Sequence, residues 1–110
     1  MKNVIHLGSR CIVSPNEISR LEAQGNYTLI HFKDGSQLLS STTLGVLEDR
    51  LSPFRFFRVN RSVIINLNYL NRFRIVTPEK AKAQFSRSNS SKDIFLSRRR
   101  AAAFMARVNA

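Results

Sequence analysis

Hydrogen-bond donors of the kind that read nucleic acid collect in three short segments of this chain. They are Gln24-Gly25-Asn26, Asn60-Arg61-Ser62 and Ser97-Arg98-Arg99-Arg100. Asn and Gln can pair bidentately with adenine, and a guanidinium can do the same with guanine. Serine hydroxyls and additional arginines suit phosphate oxygens. The middle segment is the most informative, because strongly β-forming apolar residues flank it. Phe56, Phe57 and Val59 precede it, and Val63, Ile64 and Ile65 follow. Arg58, Asn60, Arg61 and Ser62 thus form a polar island whose backbone is fixed by core-forming neighbours, as a recognition site requires. Taken alone, Arg58 and Arg61 serve equally well as solvated residues at a strand end.

Other chemistries have little support. His6 and His31 are the only histidines, each on an apparent strand without a neighbouring ligand type. One cysteine, Cys11, rules out an internal disulfide and reads as a small buried apolar residue. No zinc-ligand spacing and no clustered glycines are present, so neither a structural metal nor a phosphate-cradling loop is expected. Glu22, just before a turn, reads as a capping or charge-pairing carboxylate. The expectation is a non-enzymatic chain that needs no cofactor and takes no small-molecule substrate.

The positioning elements must fit within 110 residues, room for one domain with a modest core. Hydrophobic residues make up 43% and charged residues 23%, and no window is apolar enough to span a membrane. The first residues lack the apolar core of a signal peptide, so the cytoplasm is the expected compartment. Net charge is +11 and is one-sided. Residues 1–51 balance, whereas residues 52–110 carry thirteen basic and two acidic residues. Such an excess repels itself unless it meets a polyanion, with nucleic acid ahead of an anionic membrane surface or plain solubility.

Periodicity predicts about eight to ten short strands and two helices. Short runs at Val4–Leu7 and Cys11–Val13 flank Gly8-Ser9; Ile18–Ala23, Tyr27–Phe32 and Gln37–Ser40 follow as strands. Asp34-Gly35 predicts a type I′ hairpin turn. Thr42 or Thr43 can cap a helix with Leu44, Leu47 and Leu51 on one face. Leu67–Leu70 suits a turn of helix. Asn71–Thr77, with Phe73 and Ile75 on one face, Ala81–Arg87 and Lys92–Leu96 read as strands, and Ser88–Ser91 as a loop. Phe73 and Phe85 are expected in the core. Ser97 can cap a last helix with Ala101, Phe104, Met105 and Val108 as its apolar stripe. Arg98, Arg99 and Arg100 would crowd its first turn, which the helix dipole disfavours unless a phosphate sits there.

Ile18–Glu22, Gly25-Asn26-Tyr27-Thr28, Leu39–Leu47, Phe56-Phe57-Arg58-Val59-Asn60-Arg61-Ser62, Ile65-Asn66 and Ser97-Arg98-Arg99 together resemble the LytTR family of bacterial DNA-binding domains. The resemblance spans about residues 10–105, consistent with a single domain over 1–110. It implies a mainly β fold, an elongated stack of small antiparallel sheets with one or two short helices, and loops rather than a recognition helix in the major groove. It also implies base contacts from Asn26, Arg61 and Arg99, and phosphate contacts from Arg58, Ser62, Ser97 and Arg100. Asn60 stands where the family usually has histidine. The usual receiver or membrane segment is absent, which fits either a stand-alone regulator or a module of a larger one.

The expected function is sequence-specific binding of double-stranded DNA by a transcriptional regulator, with bending of the DNA. Candidate partners are duplex DNA and a second copy on a tandem site, with no membrane. A basic all-β RNA-binding module and a protein-interaction or membrane-surface module are the alternatives.

Overall fold

The computed structural model describes residues 4–8, 11–77 and 93–109. Strands β1 (Ile5–Gly8) and β2 (Cys11–Val13) form an antiparallel pair. A 3-10 turn at Pro15–Glu17, with proline at its start, leads into β3 (Ile18–Gln24). Then come β4 (Tyr27–Phe32), β5 (Gln37–Ser40), helix α1 (Leu44–Leu51), β6 (Phe56–Asn60) and β7 (Val63–Asn66). A 3-10 segment at Leu67–Arg72 precedes β8 (Arg74–Val76), which pairs with β9 (Asp93–Phe95). A further 3-10 turn, Arg98–Arg100, leads into helix α2 (Ala101–Val108).

The central sheet has five antiparallel strands in the order β5-β4-β3-β7-β6. Its two faces carry different cores because successive residues of a strand point to opposite sides. In β7, Ile64 joins a cluster with Leu21, Ile30, Leu47, Leu51 and Phe56, while Ile65 joins one with Val59, Ile94, Leu96 and Phe104. Helix α1 and the β1–β2 pair therefore cover one face, and β9 and helix α2 cover part of the other. In α1 the fully buried Leu47 and Leu51 lie one turn apart, as the sequence spacing requires. In α2 the Phe104 ring meets Phe57 edge-on at 5.5 Å between centroids. The fold is mainly β, three small sheets stacked in a body of 43 × 30 × 24 Å.

Asn66 is the polar pin of this stack. It is 1% exposed; its amide donates to the Ile18 carbonyl at 2.8 Å, and its Oδ1 accepts from the Asn68 N–H at 2.9 Å. Those bonds start the 3-10 segment after β7 and tie it to the beginning of β3.

Several local expectations are corrected. The β4–β5 connection is not a two-residue type I′ turn. Phe32 O accepts from Gly35 N at 3.0 Å and Phe32 N donates to Ser36 O at 2.9 Å, so three residues form the loop and Gly35 alone takes the left-handed conformation, at φ 92°. Asp34 stabilises this longer loop, because its carboxylate accepts from both the N–H and the hydroxyl of Ser36. Strand β8 starts only at Arg74, because Asn71 and Arg72 complete the 3-10 segment. The β8–β9 ladder runs parallel, unlike the other two sheets. Met105 is 51% exposed, leaving Phe104 as the buried residue of α2. Cys11 is half-buried rather than buried. The expected strand at Ala81–Arg87, the loop at Ser88–Ser91 and the core position of Phe85 lie outside the described residues.

Candidate nucleic-acid interface

The β3–β4 hairpin closes through two residues, since Gln24 pairs with Tyr27. Gly25 has φ 63° with open space around it, so its requirement is conformational: a primed turn needs a positive φ at that position. The turn leaves Asn26 exposed at its tip.

The β6–β7 hairpin also closes through two residues, Arg61 and Ser62, with Asn60 opposite Val63. Its backbone is held from three directions. Asn60 Oδ1 accepts from the Ser62 N–H at 2.8 Å, the Asx arrangement that a turn-initiating asparagine favours. The Ser62 carbonyl accepts from Ala23 N at 2.8 Å, which joins this hairpin to the β3–β4 hairpin two residues before Gly25. The Arg61 carbonyl accepts from Arg58 Nη2. Arg61 and Ser62 themselves are exposed.

The third segment leaves β9 beside β6. Ser97 N donates to Val59 O at 2.9 Å, and Asn60 Nδ2 donates to Phe95 O at 2.6 Å. Asn60 therefore links the Arg61 turn to the β9 exit as well as shaping the turn. Arg98, Arg99 and Arg100 occupy the 3-10 turn ahead of α2, so they do not sit in the first turn of the α-helix. Arg98 and Arg99 are exposed, and Arg100 is half-buried. The three donor segments, remote in sequence, thus adjoin one another through Ala23–Ser62, Asn60–Phe95 and Ser97–Val59.

Two predicted phosphate contacts have constrained surroundings. Arg58 is 20% exposed; its Nη1 pairs with the Glu48 carboxylate at 2.9 Å, and its buried Nε has no hydrogen-bond partner. Ser97 occupies the cap position, yet its buried Oγ caps nothing and has no partner. Sequence reasoning passed over Glu48, half-buried on α1, and its partner Arg58 ten residues on carried no local sign of the pairing. The linking role of Asn60 was half visible, since asparagine at a strand end ahead of a two-residue turn signals an Asx bond.

Among the described residues, some of the basic ones are paired with carboxylates and others, those of the donor segments included, are not. Glu17 pairs with Lys33 at 3.0 Å, Glu22 with Arg20 at 3.3 Å, and Asp93 with Arg74 at 3.3 Å. Among the described residues Arg61, Arg98, Arg99 and Arg100 have no carboxylate partner. No group of three or more His, Cys, Asp or Glu residues among the described ones could hold a metal ion. No helix among them is long and apolar enough to cross a membrane.

Away from this end, His31 on β4 meets the Glu22 carboxylate through Nε2, and Gln37 Nε2 approaches its Nδ1 at 3.3 Å. Burial, followed by the Arg20 guanidinium, holds the His31 pKa below its ordinary 6.5, against a smaller opposing pull from Glu22. The neutral ring then donates from Nε2–H to Glu22 and accepts at Nδ1. The unfolded chain takes up this proton at higher pH than the folded one, so stability rises with pH across that interval. Urea midpoints should fall as the pH drops from about 7.5 to about 5.5, and His31→Gln should flatten that part of the curve. Equal pH profiles for the two proteins would refute the assignment.

The LytTr DNA-binding domain model matches residues 8–109. The sensory transduction protein LytT of Oceanobacillus iheyensis is 31% identical over 68 residues, which cover 61% of this chain and 28% of that protein. The chain thus spans less than a third of that relative's length. No solved structure matches. With the family match running through all three donor segments and nearly the whole fold, this chain belongs to the LytTR family of DNA-binding domains.

Proposed function

We propose that this domain binds double-stranded DNA sequence-specifically within a transcriptional regulator, that its turns rather than a helix read the major groove, and that binding bends the duplex. The observation that carries this reading is the junction of three donor-rich segments at one end of the sheet, on backbone fixed by hydrogen bonds. Asn26, Arg61 and Arg99 are all exposed there and are of donor types that suit base edges. Ser62 and Arg100 flank them as phosphate contacts. Arg58 and Ser97 would join them only after side-chain rotation, since the Arg58 guanidinium is engaged and the Ser97 hydroxyl is buried.

The spacing supports bending. Two neighbouring hairpins place their tips about two strand spacings, or ~10 Å, apart. The β9 exit lies beyond the outer edge of β6, which extends the row to roughly 15–20 Å. That exceeds the ~12 Å width of the major groove on a straight duplex. A second copy on a tandem site would extend the footprint further.

Selection from a random duplex pool supplies the preferred site. On that site Asn26→Ala, Arg61→Ala or Arg99→Ala should each cost about 1–3 kcal/mol, and much less on random duplex. Equal losses on both duplexes would reduce the residue to a backbone contact. Better competition by unstructured RNA than by the selected duplex would overturn the DNA reading.

A further inference from the structure

We propose that Glu48, an acidic residue in a DNA-binding protein, is a positioning residue that strengthens sequence-specific binding by holding Arg58 against the turn that presents Arg61. The inference rests on the reading of Arg61 as a base contact. Glu48 lies on α1 and grips Arg58 Nη1 at 2.9 Å, while Arg58 Nη2 donates to the Arg61 carbonyl. One guanidinium thereby bridges helix α1 and the tip of the β6–β7 hairpin. The bridge lies in a cleft of about 340 Å³ between the two helices, floored by Leu51, Phe57 and Ile64 and flanked by Arg100 and Arg107.

The surroundings explain why Arg58 needs Glu48. With Arg100 and Arg107 lining the same cleft, like charges push its guanidinium outward, and its buried Nε has no partner to hold it. Among the described residues Glu48 is the only carboxylate lining the cleft. Without it a partly desolvated cation loses its counter-charge, and rotation into solvent is the cheaper arrangement. The Arg61 carbonyl then loses its donor. Asn60 and Ala23 still hold Ser62, so the hairpin remains closed, but the peptide carrying the Arg61 side chain gains freedom. Placement of a base-reading group tolerates little such freedom.

The sign of the effect separates this proposal from simple electrostatics. Removing a negative charge from a DNA-binding surface should tighten binding to every duplex. Positioning requires instead that Glu48→Ala and Glu48→Gln weaken binding to the selected site, roughly three- to tenfold for alanine and less for glutamine, which keeps a neutral acceptor. Binding to random duplex should stay level or improve. The decisive experiment is a double-mutant cycle of Glu48→Ala and Arg61→Ala on both duplexes, with amide shifts of Arg61 and Ser62 recorded in the free proteins. The expected result is a loss from Glu48→Ala that disappears in the Arg61→Ala background, with shifted turn amides and an unchanged thermal midpoint. Tighter binding of Glu48→Ala to both duplexes, additive effects in the cycle, or unmoved turn amides would each overturn the proposal. If Arg61 does not read a base, Arg61→Ala alone reveals it by equal losses on the two duplexes, independently of the Glu48 arm.

Discussion

Raising the salt concentration from about 50 to about 200 mM should weaken binding to any duplex by roughly a thousandfold. Neutralising about six phosphates gives a slope of roughly −5 for log K against log salt, and a fourfold rise in salt then costs about three decades. Six is a reasonable number because the positive charge is abundant and, among the described residues, much of it has no carboxylate partner. All of the net +11 falls in residues 52–110. Lys33, Arg20, Arg58 and Arg74 have carboxylate partners, whereas Arg61 and the Arg98–Arg100 run do not among the described residues. Arg100→Ala should therefore lower affinity for all sequences alike and make the slope shallower by about one unit. Arg58→Ala should change the slope less, since Glu48 already offsets that charge. Titrations by fluorescence anisotropy on selected and random duplexes measure both. A slope near zero would remove the electrostatic basis of binding altogether.

What the sequence made legible was mostly local. Tyr27–Phe32, Gln37–Ser40 and the helix at Leu44–Leu51 fall where pattern and turn residues put them, because each depends on neighbours within a few residues. The Asp34-Gly35 turn shows the limit of that logic. Asp-Gly marks a hairpin, but the Asp34 bonds to Ser36 favour a loop one residue longer, with only Gly35 left-handed. Met105 fails for a different reason: a helix packed on one edge of a small core buries a narrow stripe, and Phe104 fills it.

The donor segments themselves could be named from composition and from the family resemblance, but their junction could not. It depends on bonds between residues far apart in sequence: Ala23 to Ser62, Asn60 to Phe95, and Val59 to Ser97. No periodicity encodes which strand will lie beside which. The parallel direction of the β8–β9 pair was hidden for the same reason. Glu48 was the largest omission, since a charge on the solvent face of a helix reads as a solubility residue until its partner is located.

Bending is the expectation with the widest energetic range. A row of contacts reaching roughly 15–20 Å across the groove exceeds its ~12 Å width on a straight duplex. In that orientation, on the proposed reading, the duplex curves toward the protein to bring the outer segments to their bases. The fold resists meeting the DNA halfway, because the Arg61 turn is tied to β3 by Ala23 and to β9 by Asn60. On the proposed reading the deformation falls on the duplex, at a cost of order 1–6 kcal/mol to be offset by added contacts at Asn26 and Arg99. Flexible pyrimidine–purine steps between the contacted bases should lower that cost without being touched. Exchanging one for a stiff A-tract should weaken binding by about 1–2 kcal/mol, a factor of roughly 5–30. Arg99→Ala should then do two things together: reduce the bend, and make affinity less sensitive to the spacer. Circular-permutation gel shifts on the selected site, with flexible and stiff spacers, measure bend and affinity in one experiment. Mobility independent of the position of the site, combined with indifference to the spacer, would place the three segments on a straight duplex and refute the bend.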